Sequence, residues 1–434
     1  VNNNSSIKSS TMKYFNSDYF PYENDKMLCE KASLQEMAQK FGTPLFVYSK
    51  KFFEDRYNEF SSAFSGIDHK IFFASKSNFN INVIKIFSDL GGGVDVNSAG
   101  ELHRALKAGV DPKNILLTGV GKTDNEIRLG LEHNVYLIKA ESEEEILVID
   151  KIAGQMGKVA PVAIRVNPDV DPQTLPYIST GLAENKFGVD ANLAYDLFLR
   201  CSKLKNVELT GIDMHIGSQI TSIDPFVEAT IKMAELYKKI QSSGVPLKHF
   251  DIGGGIGVLY KDETPFTPKD LAEKLIPIFM QLDAKILFEP GRFLTANGGV
   301  LLAEVLFTKT NSLGKNFTVV DAAMTELLRP SIYGAYHHIQ PVHKNNAPDI
   351  ITDIVGPVCE SGDYLAKNRS VSKVCRKDLL AIISAGAYSM VMSSNYNARC
   401  RPPEILVDGD KYYSIRSRET FDHLLYDEKI IDFS

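Results

Sequence analysis

The sequence predicts an α/β protein: a (β/α)8 barrel of the TIM type over residues 50–296, followed by an antiparallel β domain over residues 297–434. Three observations predict it. Short apolar runs alternate with longer amphipathic stretches between residues 50 and 296. The unusual polar and glycine residues fall at the C-terminal ends of those runs. Beyond residue 297 helical periodicity gives way to β-branched segments separated by turns.

The strand candidates, in order, are Lys70–Lys76, Gly93–Asn97, Ile115–Gly119, Tyr136–Ala140, Pro161–Asn167, Leu209–Ile216, Lys248–Gly253 and Lys285–Pro290. Each is continuously apolar rather than alternating, the pattern of a strand covered on both faces. Helical patterns such as Ser98–Ala108, Glu141–Ala153 and Asp224–Ser242 separate them. Ser98 followed by Glu101 fits a capping box, and Gly109 stands where a helix should end. Eight strands with helices between them, in a stretch near the ~250 residues typical of the fold, match one barrel. A doubly wound open sheet is the competing arrangement, but it gathers its special residues at one switch point. Here Lys76, Asp95, Asn167, His215, Gly253–Gly255 and Glu289 are spread over several strand ends, where barrel sites are built. Further on, Val300–Lys309, Phe317–Asp321, Asp349–Gly356 and Leu379–Ser384 read as strands of a separate domain. Residues 12–49, with the apolar run Pro44–Ser49, are expected to contribute to that β domain. Residues 1–11, rich in Asn and Ser, are expected to be disordered.

Composition narrows the function classes. A hydrophobic fraction of 44% with 24% charged residues leaves material for a sizeable core. The net charge of −6 and the lack of a basic stripe exclude nucleic acid as an expected partner. The acidic cluster Glu141–Glu145 reads as a solvated first helical turn, favoured by the helix dipole. Cys29, Cys201, Cys359, Cys375 and Cys400 form no CxxC pair and no metal-ligand spacing with the histidines. No metal site is therefore expected, and a reducing, cytoplasmic compartment is. No apolar stretch approaches the ~20 residues that span a bilayer, so no membrane association is expected either. The N-terminal residues lack the apolar core of a signal peptide.

The chemistry begins with glycine. IGGGIG (Ile252–Gly257) follows a strand, so its backbone N–H groups can approach a phosphate closely. It does not match the dinucleotide pattern GxGxxG before a helix. Barrel phosphates favour the loops after the seventh and eighth strands, which here are IGGGIG and the EPGR turn Glu289–Arg292. A phosphate-bearing ligand is expected. Lys76, at the end of an otherwise apolar strand, is then a candidate Schiff-base amine, since partial desolvation lowers the pKa of a lysine. Outside such a setting it would read as a lysine reaching for water. Glu289 matches it on the eighth strand, where a carboxylate can keep a ring nitrogen protonated. His215 reads as a core histidine by itself, and as a stacking partner once an aromatic cofactor fills the barrel mouth.

From Phe41 to Val407 the chain carries, in order, FFASKSN, GGGVDVNSAGEL, TGVGKTDNEI, IRVNP, KFGV, HIGSQI, DIGGGIG, FEPGR, LRPSIYGAYH, CESGD and GAYSM. The ordered set resembles the diaminopimelate decarboxylases, members of the alanine racemase-like (fold type III) enzymes that use pyridoxal 5'-phosphate. The resemblance implies a carboxy-lyase that converts meso-2,6-diaminopimelate to L-lysine and carbon dioxide. It implies a homodimer whose active sites are shared across the interface. It implies that Lys76 binds the cofactor covalently, His215 stacks on its ring and Glu289 pairs with the ring nitrogen. Gly253, Gly254, Gly255, Ser218, Tyr388 and the Pro290–Gly291–Arg292 turn would hold the phosphate. Arg292, Arg329, Tyr333, Glu360 and Tyr388 would hold the substrate, whose distal end carries both an ammonium and a carboxylate. Cys359, otherwise read as a buried structural thiol, would enter from the neighbouring subunit as proton donor. Asp95 and Arg165 would lie near the ring. FASKSN stands where the family more usually has YAVKAN, and DAAMTELLRP where DAGMNDLIRP is usual; Lys76 and Arg329 survive both changes. The nearest alternative is an ornithine, lysine or arginine decarboxylase of the same fold, which binds no distal carboxylate. An amino-acid racemase would need a tyrosine where CESGD supplies a cysteine. A non-enzymatic, single-domain cofactor-binding protein would lack the β domain.

Overall fold

The computed structural model describes residues 14–172, 174, 180–181 and 185–434, so the expected disorder of residues 1–11 lies outside the described residues. The chain falls into two units: residues 53–258 with 265–295, and residues up to 52 with 259–264 and 296–434.

The larger unit is a closed parallel barrel. Its strands are β1 (His69–Ala74), β2 (Gly93–Val96), β3 (Ile115–Leu117), β4 (Leu137–Ala140), β5 (Ala160–Asn167), β6 (Val207–Asp213), β7 (His249–Asp251) and β8 (Lys285–Phe288). Each pairs in parallel with the next, and β8 closes on β1 with Ile286 opposite His69. Strands so joined need helical crossovers. The helices Ala99–Lys107, Glu143–Gln155 and Asp224–Ser242 are among those that supply them. Phe72, Leu116, Leu137, Ala163 and Leu287 form a buried cluster drawn from five of the strands. Gly93 makes room for it: a Cβ there would stand 2.3 Å from the Phe72 ring.

Two local expectations change. Ser98 Oγ accepts from Glu101 N, but the Glu101 carboxylate does not turn back to Ser98. It accepts from Asn97 N at 2.7 Å and from Ser75 Oγ at 3.0 Å, so the box is half-formed and its glutamate braces the loop beside Lys76. The acidic cluster is not simply a solvated turn. Glu141 is buried and accepts from Arg165 and from Gly188 N. Glu145 pairs with the buried amine of Lys122 at 2.7 Å. A neighbouring strand brings Arg165 to Glu141 and the loop after β3 brings Lys122 to Glu145, and helix Glu143–Gln155 starts only after Glu141.

The smaller unit is built on a sheet running Tyr364–Ser372, Asp349–Val355, Asn316–Val320, Gly299–Thr310, Leu45–Ser49, Glu404–Asp408 and Lys411–Arg416. It is mixed rather than purely antiparallel. Asn316–Val320 lies parallel to Asp349–Val355, and Leu45–Ser49 parallel to Glu404–Asp408. In the first pair a helix and a strand, Arg329–Tyr333 and Ile339–Pro341, fill the crossover; in the second the partners come from opposite ends of the chain. Leu45, Val47, Val300, Leu302, Ala381, Ile383, Ile405 and Val407 are wholly buried in its core. At ~1.5–3 kcal/mol for each large apolar side chain, this burial is what binds the N-terminal strand into the unit.

Candidate active site

Within the barrel unit the special residues gather at the C-terminal strand ends. Lys76 occupies a single 3-10 turn, Ser75–Ser77, directly after β1. Ser75 pins that turn, its hydroxyl donating to Asp95 O at 2.8 Å. The Lys76 amine stands 3.8 Å from Asp95 Oδ2 while its side chain stays 41% exposed, so it is held yet reachable. Asp95 is fully buried at the end of β2; Oδ1 accepts from Thr118, while Oδ2 has no hydrogen-bond partner among the described residues.

His215 follows β6. Its Nδ1 accepts from Gly254 N at 3.3 Å, which leaves the ring proton on Nε2. Burial, with the charges of Lys76 and Arg165, holds its pKa well below the usual histidine range, so the ring is neutral. The loop after β7 is a cradle only glycine can form. Gly253 and Gly255 have φ of +69° and +114°, and a Cβ on Gly254 would lie 2.2 Å from Glu289 O. After β8, the Arg292 guanidinium is buried and donates to Ser218 Oγ at 3.1 and 3.3 Å. The loops after β6 and β8 are thereby joined through a serine–arginine pair.

Glu289 introduces residues that the sequence reading passed over. Lys139, on β4 and 1% exposed, donates to Asp213 Oδ1 at 2.8 Å, to Asp251 Oδ2 at 2.6 Å and to Glu289 Oε1. Burial alone would lower this amine, but Asp213, Asp251, Glu289 and Asp95 carry it well above the usual lysine range. Burial and then Asp95 raise Glu289 well above the usual carboxylate range, against the pull of Lys139. Burial likewise lifts Asp251 to about 6. The signal was present: YLIKA, GIDM and HFDI each set one charge inside an apolar strand end.

The remaining candidates belong to the β unit. Arg329 is buried, with Nη1 2.8 Å from His337 Nε2 and the guanidinium 4.5 Å over the Tyr260 ring. Tyr333 lies one turn along the same helix, Arg329–Tyr333. Ser331 Oγ ties that helix to Gly362 O at 2.7 Å, so the CESGD turn stands beside it. Asp363 shapes the turn by accepting from Val358 N and Met324 N. Cys359 and Glu360 are exposed there, and Cys359 N donates to Asn397 Oδ1. Cys359 is thus an exposed thiol and not a buried one. Tyr388 is half-buried with φ of +55°, an uncommon backbone for a tyrosine.

An amine beside a carboxylate, a neutral imidazole, a deep carboxylate and a glycine cradle with an arginine fit pyridoxal phosphate group by group. Residues 50–296 match the family described as "Pyridoxal-dependent decarboxylase, pyridoxal binding domain". The chain is 45% identical over 409 residues to the diaminopimelate decarboxylase of Aquifex aeolicus, covering 94% of this chain and 96% of that one. It is also 45% identical over 409 residues to the Haemophilus influenzae diaminopimelate decarboxylase, covering 94% and 98%. The structure of the Helicobacter pylori diaminopimelate decarboxylase complexed with L-lysine superposes with a TM-score of 0.87 at 38% identity, over 90% and 98% of the two chains.

Proposed function

This chain belongs to the diaminopimelate decarboxylases, within the pyridoxal-dependent decarboxylases, and on that premise we propose a role for each residue of its site. The protein uses pyridoxal phosphate to decarboxylate meso-2,6-diaminopimelate to L-lysine and carbon dioxide, the last step of lysine biosynthesis. The observation that carries the assignment of roles is the meeting of Lys76, His215, Glu289 and the glycine cradle at one end of the barrel.

Lys76 would hold the cofactor's aldehyde carbon through its amine, and its exposure would leave that amine within reach of a substrate. Gly253–Gly255, Pro290, Gly291, Arg292, Ser218 and Tyr388 hold the phosphate, with loop 6 and loop 8 fixed by the Arg292–Ser218 bonds. His215, kept neutral, would stack on the ring without adding a charge that would oppose a protonated nitrogen. Glu289 would pair with that nitrogen. When bound, pyridoxal phosphate supplies the electron sink that lets the α-carboxylate leave as carbon dioxide. Arg292, Arg329, Tyr333, Glu360 and Tyr388 grip the substrate's distal carboxylate and ammonium, and so set the reacting α-carbon in place. Cys359 of the partner subunit, in a homodimer, then gives its thiol proton to that carbon. The exposure of Cys359 on the single chain supports this, because a donor for another subunit has to stand outside its own. Five cysteines without a disulfide among them support a reducing, cytoplasmic setting. Among the described residues no helix is long and apolar enough to cross a membrane.

Borohydride reduction of the holoenzyme followed by peptide mapping tests the central role. A pyridoxyl group on Lys76 is expected; one on any other lysine, Lys139 included, overturns it. Carbon dioxide release from meso-diaminopimelate, but not from ornithine or lysine, tests the substrate.

A further inference from the structure

The cluster around Lys139 has more design than burial requires. Its three N–H bonds go to three carboxylates on β6, on β7 and just beyond β8, while Lys139 itself stands on β4, half the barrel circuit away from β8. The carboxylate oxygens lie within 4.8 Å of one another, a spacing that suits a divalent cation. The ammonium sits in that position, so the cation of this cluster is the protein's own. Asp251 also accepts from Gly253 N at 2.8 Å, which couples the cluster to the glycine cradle. Glu289 Oε1 accepts from Lys139, and no partner for Oε2 is found among the described residues. Three buried carboxylates, with Asp95 close by, outnumber the ammonium, so the group attracts protons, and burial raises Glu289 accordingly.

From this geometry we infer that Lys139 is a positioning residue that keeps the proton shared by Glu289 and the cofactor's pyridine on the ring nitrogen. The inference rests on the reading of Glu289 given above and deepens it. One proton has two sites, Glu289 Oε2 and the nitrogen. The ammonium bonds Glu289 at Oε1, and a ring nitrogen paired with Oε2 would lie beyond that carboxylate, so the ammonium repels a proton on the carboxyl more than one on the nitrogen. Asp213 and Asp251 pull the other way. Losing Lys139 lets the proton fall back to Glu289, and the ring becomes a weaker electron sink. Lys139 need touch neither substrate nor cofactor to do this.

The test is nitrogen-15 NMR of the holoenzyme carrying pyridoxal phosphate labelled at the ring nitrogen, which reads protonation without turnover. The native protein should give the protonated signal. Lys139→Met should move it toward the unprotonated position and lower kcat with little change in KM. Lys139→Met/Asp213→Asn removes one charge of each sign and should return the signal toward the native position. Because its net charge equals that of the native cluster, the double variant also serves if the single one does not fold. A purely structural lysine predicts lost thermal stability, an unmoved signal in every folded variant, and no rescue; that result overturns the inference. Glu289→Gln separates the two readings. An unmoved signal there means Glu289 does not face the nitrogen, and both readings fall. A signal moved by Glu289→Gln but not by either Lys139 variant overturns the role of Lys139 alone.

Discussion

In the barrel unit the candidate side chains are held by partners from other strands or the loops after them: Lys76 by Asp95, His215 by Gly254, Arg292 by Ser218 and Glu289 by Lys139. In the β unit the picture divides. Arg329 is buried between His337 and Tyr260, whereas Cys359 and Glu360 stand exposed on a turn whose shape comes from Asp363. The first arrangement suits groups that must keep fixed geometry against a bound ring, since preorganised dipoles cost nothing at the moment of reaction. The second suits groups completed by another surface.

The largest effect that would break this comparison is in the barrel. Lys76→Ala should leave no measurable carbon dioxide release from meso-diaminopimelate while thermal unfolding stays near native; retained turnover would remove the barrel mouth from the chemistry. Next comes the exposed turn. Cys359→Ala should lower kcat by roughly 10²–10⁴, the range for a positioned proton donor, with KM little changed. Mixing Lys76→Ala and Cys359→Ala subunits should regain part of the activity if sites are shared, and none if each chain works alone. A smaller effect is expected at Arg329→Lys. Loss of a planar fork that holds a carboxylate should raise KM for diaminopimelate by about tenfold, from ~1.5–3 kcal/mol per charged hydrogen bond partly retained. Equal loss in kcat would mean Arg329 acts on the reacting carbon.

The smallest effects concern pH, and they carry opposite signs in the two units. Burial lowers His338, in the β unit, from 6.5 to about 4. The unfolded chain then binds a proton that the folded one refuses, so its contribution is present above 6.5 and lost as pH falls toward 4. Asp251, in the barrel, is lifted by burial from 3.8 to about 6. Its contribution is full below 3.8 and lost as pH rises through 6. Denaturant unfolding between pH 4 and 7 should show His338→Gln flattening the acid slope and Asp251→Asn the opposite one; a shared response would dissolve the distinction.

The barrel was legible because each strand is a local apolar run and each strand end carries one conspicuous residue. Lys76, His215 and Glu289 could be picked from such runs, and the glycine cradle from its sequence. The half-formed box at Ser98 and the buried Glu141 were misread for one reason: each carboxylate is claimed by a residue from a neighbouring loop or strand, beyond the reach of a helical pattern.

By itself the sequence determined the order of strands and helices, the strand ends that carry chemistry and the family motifs, because apolar periodicity and turn residues act over a few positions. Only the tertiary structure decided where Lys139 points. Its carboxylate partners lie 74, 112 and 150 residues away, and nothing short of closing the barrel brings them within reach of one amine. A charge in an apolar strand announces a partner. Which partner it is depends on what faces it across the barrel.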